Sequence, residues 1–134
     1  MTQHDLHAIL ISKEYITEFI PQKEPMVMVD ELMYCDAKKT VSRFKIEAEN
    51  IFVKNGRLNE AGIIENMAQT GALKGGYESK LQGIEPVLGF IGAIKNLKIY
   101  ALPEIGSYIE TEIFITGEVV NNTVIRARTS CNEA

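Results

Sequence analysis

The sequence predicts an α+β domain in which a curved antiparallel sheet wraps around one long helix. Three observations predict it. The stretch 58–80 is helical in period and dense in small and apolar residues. Strand-like alternation dominates the second half of the chain. Only one other helical stretch, short and near the N-terminus, is present, so a single helix must serve the whole sheet. With 134 residues, 46% apolar and 24% charged, the chain reads as one domain, 1–134, large enough for a real core.

Taken in order, residues 12–20 read as a short helix with Ser12 as N-cap and Pro21 ending it. Pro25 then precedes Met26-Val27-Met28-Val29-Asp30, an apolar run suited to a buried strand. Residues 40–48 alternate imperfectly, Val41, Arg43 and Lys45 against Phe44, Ile46 and Ala48. They read as a second strand, joined to the first through Asp36-Ala37-Lys38-Lys39. Residues 49–58 form a loop into the central helix, for which Asn59 is the N-cap candidate. In that helix Ile64, Ala68 and Ala72 make one apolar row and Ile63, Met67 and Gly71 the adjacent one. Gly62, Gly71, Gly75 and Gly76 each cost about 1 kcal/mol in a helix interior. They are read as marking close approach by the sheet. Residues 87–131 supply antiparallel strands. The first, 87–100, has Gly89 and Gly92 as bulge or close-approach points and is broken by Pro103 and Gly106. In 107–120, Tyr108, Glu110 and Glu112 fall on one face and Ile109, Thr111 and Ile113 on the other; Asn121-Asn122 then turns the chain into 123–131.

Within the central helix, Glu65 and Gln69 stand at i and i+4, close enough to touch. Between Ile63 and Leu73 only Glu65, Asn66 and Gln69 are strongly polar. An ionised carboxylate on a buried helix is costly unless it is paired or used, which makes Glu65 the first candidate for chemistry. Spacing alone leaves a solvated strip open as the alternative. The other classes recede: a net charge of −4 argues against nucleic acid as the main partner. No apolar run is long enough to span a bilayer, and the N-terminus lacks the pattern of a signal peptide. Cys35 and Cys131 have no metal-type spacing and read as free thiols of a cytoplasmic protein.

The segment Phe19-Ile20-Pro21-Gln22-Lys23-Glu24-Pro25-Met26-Val27-Met28-Val29-Asp30 resembles the leading segment of the beta-hydroxyacyl-acyl carrier protein dehydratases. So do Ile63-Ile64-Glu65-Asn66-Met67-Ala68-Gln69, Gly89-Phe90-Ile91-Gly92-Ala93-Ile94 and Leu102-Pro103-Glu104-Ile105-Gly106, in the family's order. The resemblance covers most of the chain, about 15–120. It implies a hotdog fold, a homodimer or higher oligomer or heterodimer with its sites at the subunit interface, and a role in fatty-acid or polyene-type lipid metabolism. It also implies a substrate carried as a phosphopantetheine thioester on acyl carrier protein or coenzyme A, with no further cofactor and no metal. Glu65 is then the catalytic acid, with Gln69 beside it; Gly56, Glu60, Ala61, Gly62, Phe90 and Gly92 line the substrate. Lys54, Arg57, Lys95 and Lys98 are the docking candidates for an acidic carrier.

The departures are equally specific. The family's loop histidine, in a His-Phe-Pro motif, has no counterpart in Ile51-Phe52-Val53-Lys54-Asn55-Gly56-Arg57-Leu58, and Asn55 falls in its place. Gln22 stands where a second histidine is common, Glu60 where a glycine usually opens the helix, and the only histidines are His4 and His7. The family's usual last strand has no counterpart after Cys131 in this sequence, which leaves two readings open: a shortened sequence or a sheet with one strand fewer. Asparagine cannot carry a proton near neutral pH, whereas histidine can. Three functions follow: a dehydratase acting through Glu65 with Asn55 positioning the substrate, a non-catalytic acyl-binding or partner subunit of a dehydratase heterocomplex, and an acyl thioesterase.

Overall fold

The structure, a computed structural model, describes residues 8–85, 93–119 and 122–132. A 3-10 turn, Lys13–Glu18, leads into β1 (Glu31–Cys35) and β2 (Lys39–Lys45). A small ribbon of β3 (Val53–Lys54) and β4 (Arg57–Leu58) then opens the single long helix α1 (Glu60–Gln82). Two long strands, β5 (Tyr108–Val119) and β6 (Asn122–Asn132), complete an antiparallel four-stranded sheet of order β1-β2-β5-β6. This open curved sheet against one main helix is the hotdog arrangement. Among the described residues no helix is long and apolar enough to cross a membrane.

Sequence and register together decide the inner face of the sheet. Thr40, Ser42 and Phe44 of β2 lie opposite Ile113, Thr111 and Ile109 of β5, and all six are buried. The alternation in β5 therefore sorts as the sequence predicts. The inner face meets α1 through two apolar clusters. One gathers Ile11, Ile16, Ile20, Val27, Val29 and Leu32 around Leu73; the other gathers Met28, Phe44, Ile46, Leu58 and Ile109 around Ile63. Between them the helix presents Asn66, Gln69 and Thr70, all fully buried. The buried stripe is thus polar at its middle. The apolar residues Ile64, Met67 and Ala68 are only partly covered, and from Gly62 to Lys74 no helix residue is fully exposed.

Several boundaries differ from the sequence expectations, for identifiable reasons. The first strand begins at Glu31, not Met26, because the backbone of 26–28 pairs with helix side chains instead of a neighbouring strand. The short helix 12–20 is a 3-10 turn, and Ser12 precedes it without a side-chain cap. Residues 93–100 form no strand; Ile94, Leu97 and Tyr100 are exposed, while Ile99 and Leu102 pack against the cluster around Ile63. Residues 87–92, with Gly89, and the 120–121 half of the expected turn lie outside the described residues.

The glycines also mean something more local than a close sheet. A Cβ on Gly76 would stand 1.9 Å from the carbonyl oxygen of Phe19, where the 3-10 turn ends against the helix. On Gly62 it would meet Leu58 and the Cβ of Phe52, both at 2.7 Å. On Gly71 it would touch only Ile113 of the sheet, at 3.8 Å, and on Gly75 it would meet nothing within 4 Å. The neighbouring pair is therefore a direct comparison. Gly75→Ala is expected to raise the unfolding free energy by up to about 1 kcal/mol. Gly76→Ala is expected to lower it by about 1–3 kcal/mol through steric displacement of the Phe19 carbonyl. Urea denaturation of the two variants checks both; equal effects would show that the close approach at Phe19 does not exist.

Candidate active site

Asn59 starts the helix as its sequence suggests: its Oδ1 accepts from the Gly62 N–H at 2.9 Å and its carbonyl from the Ile63 N–H at 3.2 Å. The cap fixes where the second helical turn, carrying Glu65, faces. Glu65 is half-buried, and its Oε2 accepts from Gln69 Nε2 at 2.8 Å. The i, i+4 contact expected from the sequence is formed.

What the sequence could not show is how Gln69 is held. Its Oε1 accepts from the Met28 N–H at 2.6 Å, and its Nε2 donates to the Met26 carbonyl at 2.7 Å as well as to Glu65. An amide has one acceptor end and one donor end. A backbone donor on one side and a backbone acceptor on the other therefore leave Gln69 only one orientation, with N–H toward Glu65. Glu65 Oε1 has no hydrogen-bond partner among the described residues. Asn66 works beside it, its Nδ2 donating to the Met28 carbonyl at 2.6 Å. The sequence signal for Asn66 was its place with Gln69 and Thr70 on the stripe that carries Ile63 and Leu73.

Asn55 occupies a different environment. With Gly56 it forms the two-residue turn between β3 and β4, with φ of 55° and 78°. This is the left-handed pair of a type I′ hairpin, which Asn-Gly favours. Asn55 and Gly56 are exposed at its tip, and among the described residues no hydrogen bond joins Asn55 to Glu65. Glu60 and Ala61 are exposed in the first helical turn, whereas Gly62 is buried and its N–H is already committed to the Asn59 cap. Phe90 and Gly92 lie outside the described residues, as do His4 and His7. Arg57 donates to the Leu102 carbonyl at 2.8 Å and to Glu104 at 2.9 Å, so it clamps the 102–104 segment to the ribbon. Lys54, Lys95 and Lys98 are exposed, and no ion pair engages them among the described residues. Cys35 and Cys131 are both free thiols. Among the described residues no three His, Cys, Asp or Glu side chains converge as metal ligands.

Asp30 closes the segment that Gln69 and Asn66 hold. Its Oδ2 accepts from the Lys45 N–H at 2.8 Å, and Lys13 Nζ stands 3.8 Å from Oδ1. Burial pushes its carboxyl above the ordinary 3.8, against the pull of the Lys45 N–H and Lys13 and with a smaller push from Glu31 and Glu47.

The family described as ApeP-like, ApeP dehydratase, matches residues 14–113, three quarters of the chain and every element from the 3-10 turn into β5. The chain belongs to the ApeP-like dehydratase family. Among solved structures, the dehydratase heterocomplex ApeI:P from Xenorhabdus doucetiae has the same fold, with a TM-score of 0.79 at 16% identity. The match covers 87% of this chain and 80% of that one. No curated protein matches the chain. The matched residues of this ApeP-like family member include Glu65 and Gln69 on the helix and Asn55 in the turn before it.

Two consequences are measurable. Gln69→Leu removes three hydrogen bonds and strands the buried Met28 N–H; it is expected to cost about 2–4 kcal/mol of stability. A loss below about 0.5 kcal/mol in urea denaturation, the ordinary range of a surface change, would mean that Gln69 does not hold the 26–28 segment. Asp30 carries a pH signature. A carboxyl whose folded value is raised binds its proton more tightly when folded, so its contribution is full below pH 3.8 and is lost as pH rises through the folded value. Asp30→Asn keeps the acceptor for Lys45 N–H but never ionises. Its melting temperature is expected to exceed the parent's at pH 7, with the gap closing as pH falls toward 4. A gap that widens on acidification would contradict the raised carboxyl.

Proposed function

We propose that this chain is a dehydratase subunit for β-hydroxyacyl thioesters in which Glu65 is the proton carrier. The observation that carries the reading is the single orientation of the Gln69 amide, which holds one carboxylate oxygen of Glu65 and leaves the other for substrate. Dehydration takes a proton from the carbon next to the thioester carbonyl and expels the β-hydroxyl as water. Glu65 serves both steps: the carboxylate accepts the α-proton, then passes it to the leaving hydroxyl and is regenerated. Asn55, on the ribbon that precedes the helix, orients the hydroxyl and transfers no proton. In this reading it reaches Glu65 across a subunit interface, because within one chain it sits at an exposed turn.

The substrate is an acyl group on a phosphopantetheine arm, in the cytoplasm, with an acidic acyl carrier protein as carrier. Lys54, Lys95 and Lys98 remain available to such a carrier; Arg57 is occupied by Glu104 and Leu102. A partner chain is part of the proposal. Ile64, Met67 and Ala68 on the helix are only partly covered, and Ile94, Leu97 and Tyr100 are exposed.

A second reading is favoured by the histidine inventory. Only His4 and His7 exist in the chain, and the similar solved structure is a heterocomplex. A subunit that contributes its helix to a site whose histidine comes from a different chain fits both facts. One assay separates the possibilities: the purified protein is given β-hydroxyacyl thioester while enoyl absorbance and free thiol are followed. Enoyl formation is the expected result, and Glu65→Gln should reduce it at least about a hundred-fold, the scale of a general acid–base contribution. Asn55→Asp should cost less. Thiol release would make the protein a thioesterase. Neither product from the lone chain, with enoyl appearing once a histidine-bearing dehydratase chain is added, would establish the subunit reading.

A further inference from the structure

The two apolar clusters on the inner face are separated by a layer of hydroxyl and amide side chains that joins the sheet to the helix. Thr111 Oγ1 donates to Asn66 Oδ1 at 2.6 Å and lies 2.7 Å from Thr129 Oγ1. Thr70 Oγ1 donates to the Asn66 carbonyl at 2.8 Å and lies 2.7 Å from Ser42 Oγ. A hydroxyl has one hydrogen to give. Thr111 has spent its hydrogen on Asn66, so Thr129 is the donor in the Thr111–Thr129 pair. By the same count Ser42 donates to Thr70. Both chains of bonds therefore point inward, from β2 and β6 onto Asn66.

From Asn66 the direction continues. With its Oδ1 filled by Thr111, the amide can only turn Nδ2 toward the Met28 carbonyl. Met28 in turn gives its N–H to Gln69, and Gln69 gives its N–H to Glu65. The backbone groups of Met28 have a fixed sense, so what Asn66 passes on is position: it holds Met28 by its carbonyl, and the Met28 N–H holds Gln69. Thr129, Thr111, Asn66, Met28, Gln69 and Glu65 form one directed series from the edge strand to the carboxylate. Stability alone does not demand this layer, since buried hydrogen-bonded pairs can be replaced by apolar groups of the same shape at nearly no cost. What an apolar layer could not do is hold the Met28 backbone, and with it the N–H that Gln69 Oε1 accepts, in one place.

We propose that Thr111 and Asn66 are positioning residues, whose task is to hold the Gln69 amide with its N–H on Glu65. The proposal rests on Glu65 being the proton carrier. Without the Thr111 hydroxyl, Asn66 Oδ1 loses its donor and the amide can rotate. Its grip on the Met28 carbonyl then weakens, the Met28 N–H that anchors Gln69 Oε1 is less firmly placed, and the Gln69 N–H is held less well on Glu65. The effect should be one of orientation, not of substrate affinity.

Thr111→Val keeps the shape of the side chain and removes the hydroxyl, while Thr111→Ser keeps the hydroxyl. In Thr111→Val, thioester dehydration is expected to show kcat reduced roughly ten-fold, the value of about one hydrogen bond, with KM unchanged. Thr111→Ser should restore it. The side-chain amide signals of Gln69, followed by nitrogen-15 NMR in the same variants, should shift and exchange faster with solvent in Thr111→Val and return in Thr111→Ser. Unchanged Gln69 signals in Thr111→Val would overturn the proposal whatever the activity, as would a loss of activity expressed in KM alone. If Gln69 responds as expected but Glu65→Gln leaves turnover intact, the positioning role for catalysis falls together with the assignment of Glu65.

Discussion

The structure depends on one substitution of partners: the backbone of Met26–Met28 is hydrogen-bonded by side chains of the helix instead of by a neighbouring strand. Buried backbone groups must be paired. An apolar run that would ordinarily satisfy itself in a sheet is here satisfied by Gln69 and Asn66. Because those bonds are short and buried, they fasten the chain to the helix at its middle. Val27 and Val29 then project into one apolar cluster and Met28 into the other. The same bonds orient Gln69 and, through it, Glu65. Folding and site geometry therefore rest on the same few atoms.

The packing around this fastening explains the helix composition. A helix gripped by loops on the inner side cannot carry large residues where those loops pass. Gly76 lies under the Phe19 carbonyl and Gly62 under Phe52 and Leu58. The close contacts come from the 3-10 turn and from the segment that opens the helix. Both are connections to the 26–28 segment or to the cap, so the glycines mark the helix ends that frame the site. On the sheet side the fit is looser: a Cβ on Gly71 would meet Ile113 only at ordinary van der Waals distance.

The partly covered face is the other half of the design. Ile64, Met67 and Ala68 form a row next to the polar stripe, with Glu65 between the two. A carboxylate at the border of a hydrogen-bonded layer and a half-open apolar row can be desolvated on one side by an acyl chain or a partner. Its other side keeps the donor from Gln69. That border position, in an ApeP-like dehydratase fold, is what separates Glu65 from Glu60 and Glu78 on the same helix.

Much of this was legible in the sequence, because the relevant signals are local. The N-cap at Asn59, the alternation of β5, the isolation of Glu65 and its reach to Gln69 all follow from periodicity of 2.0 or 3.6 and from side-chain chemistry. Asn-Gly at 55–56 carries a local signal too, for the tight hairpin that β3 and β4 form. What only the tertiary structure decided were partners distant in the chain. Met28 lies 41 residues from Gln69, and Thr111 lies 45 from Asn66. No spacing rule links them. The sequence determined that the middle of a buried helix would carry one acid, Glu65, and its amide neighbour. The fold decided, through backbone groups that had no other partner, which way that amide must face.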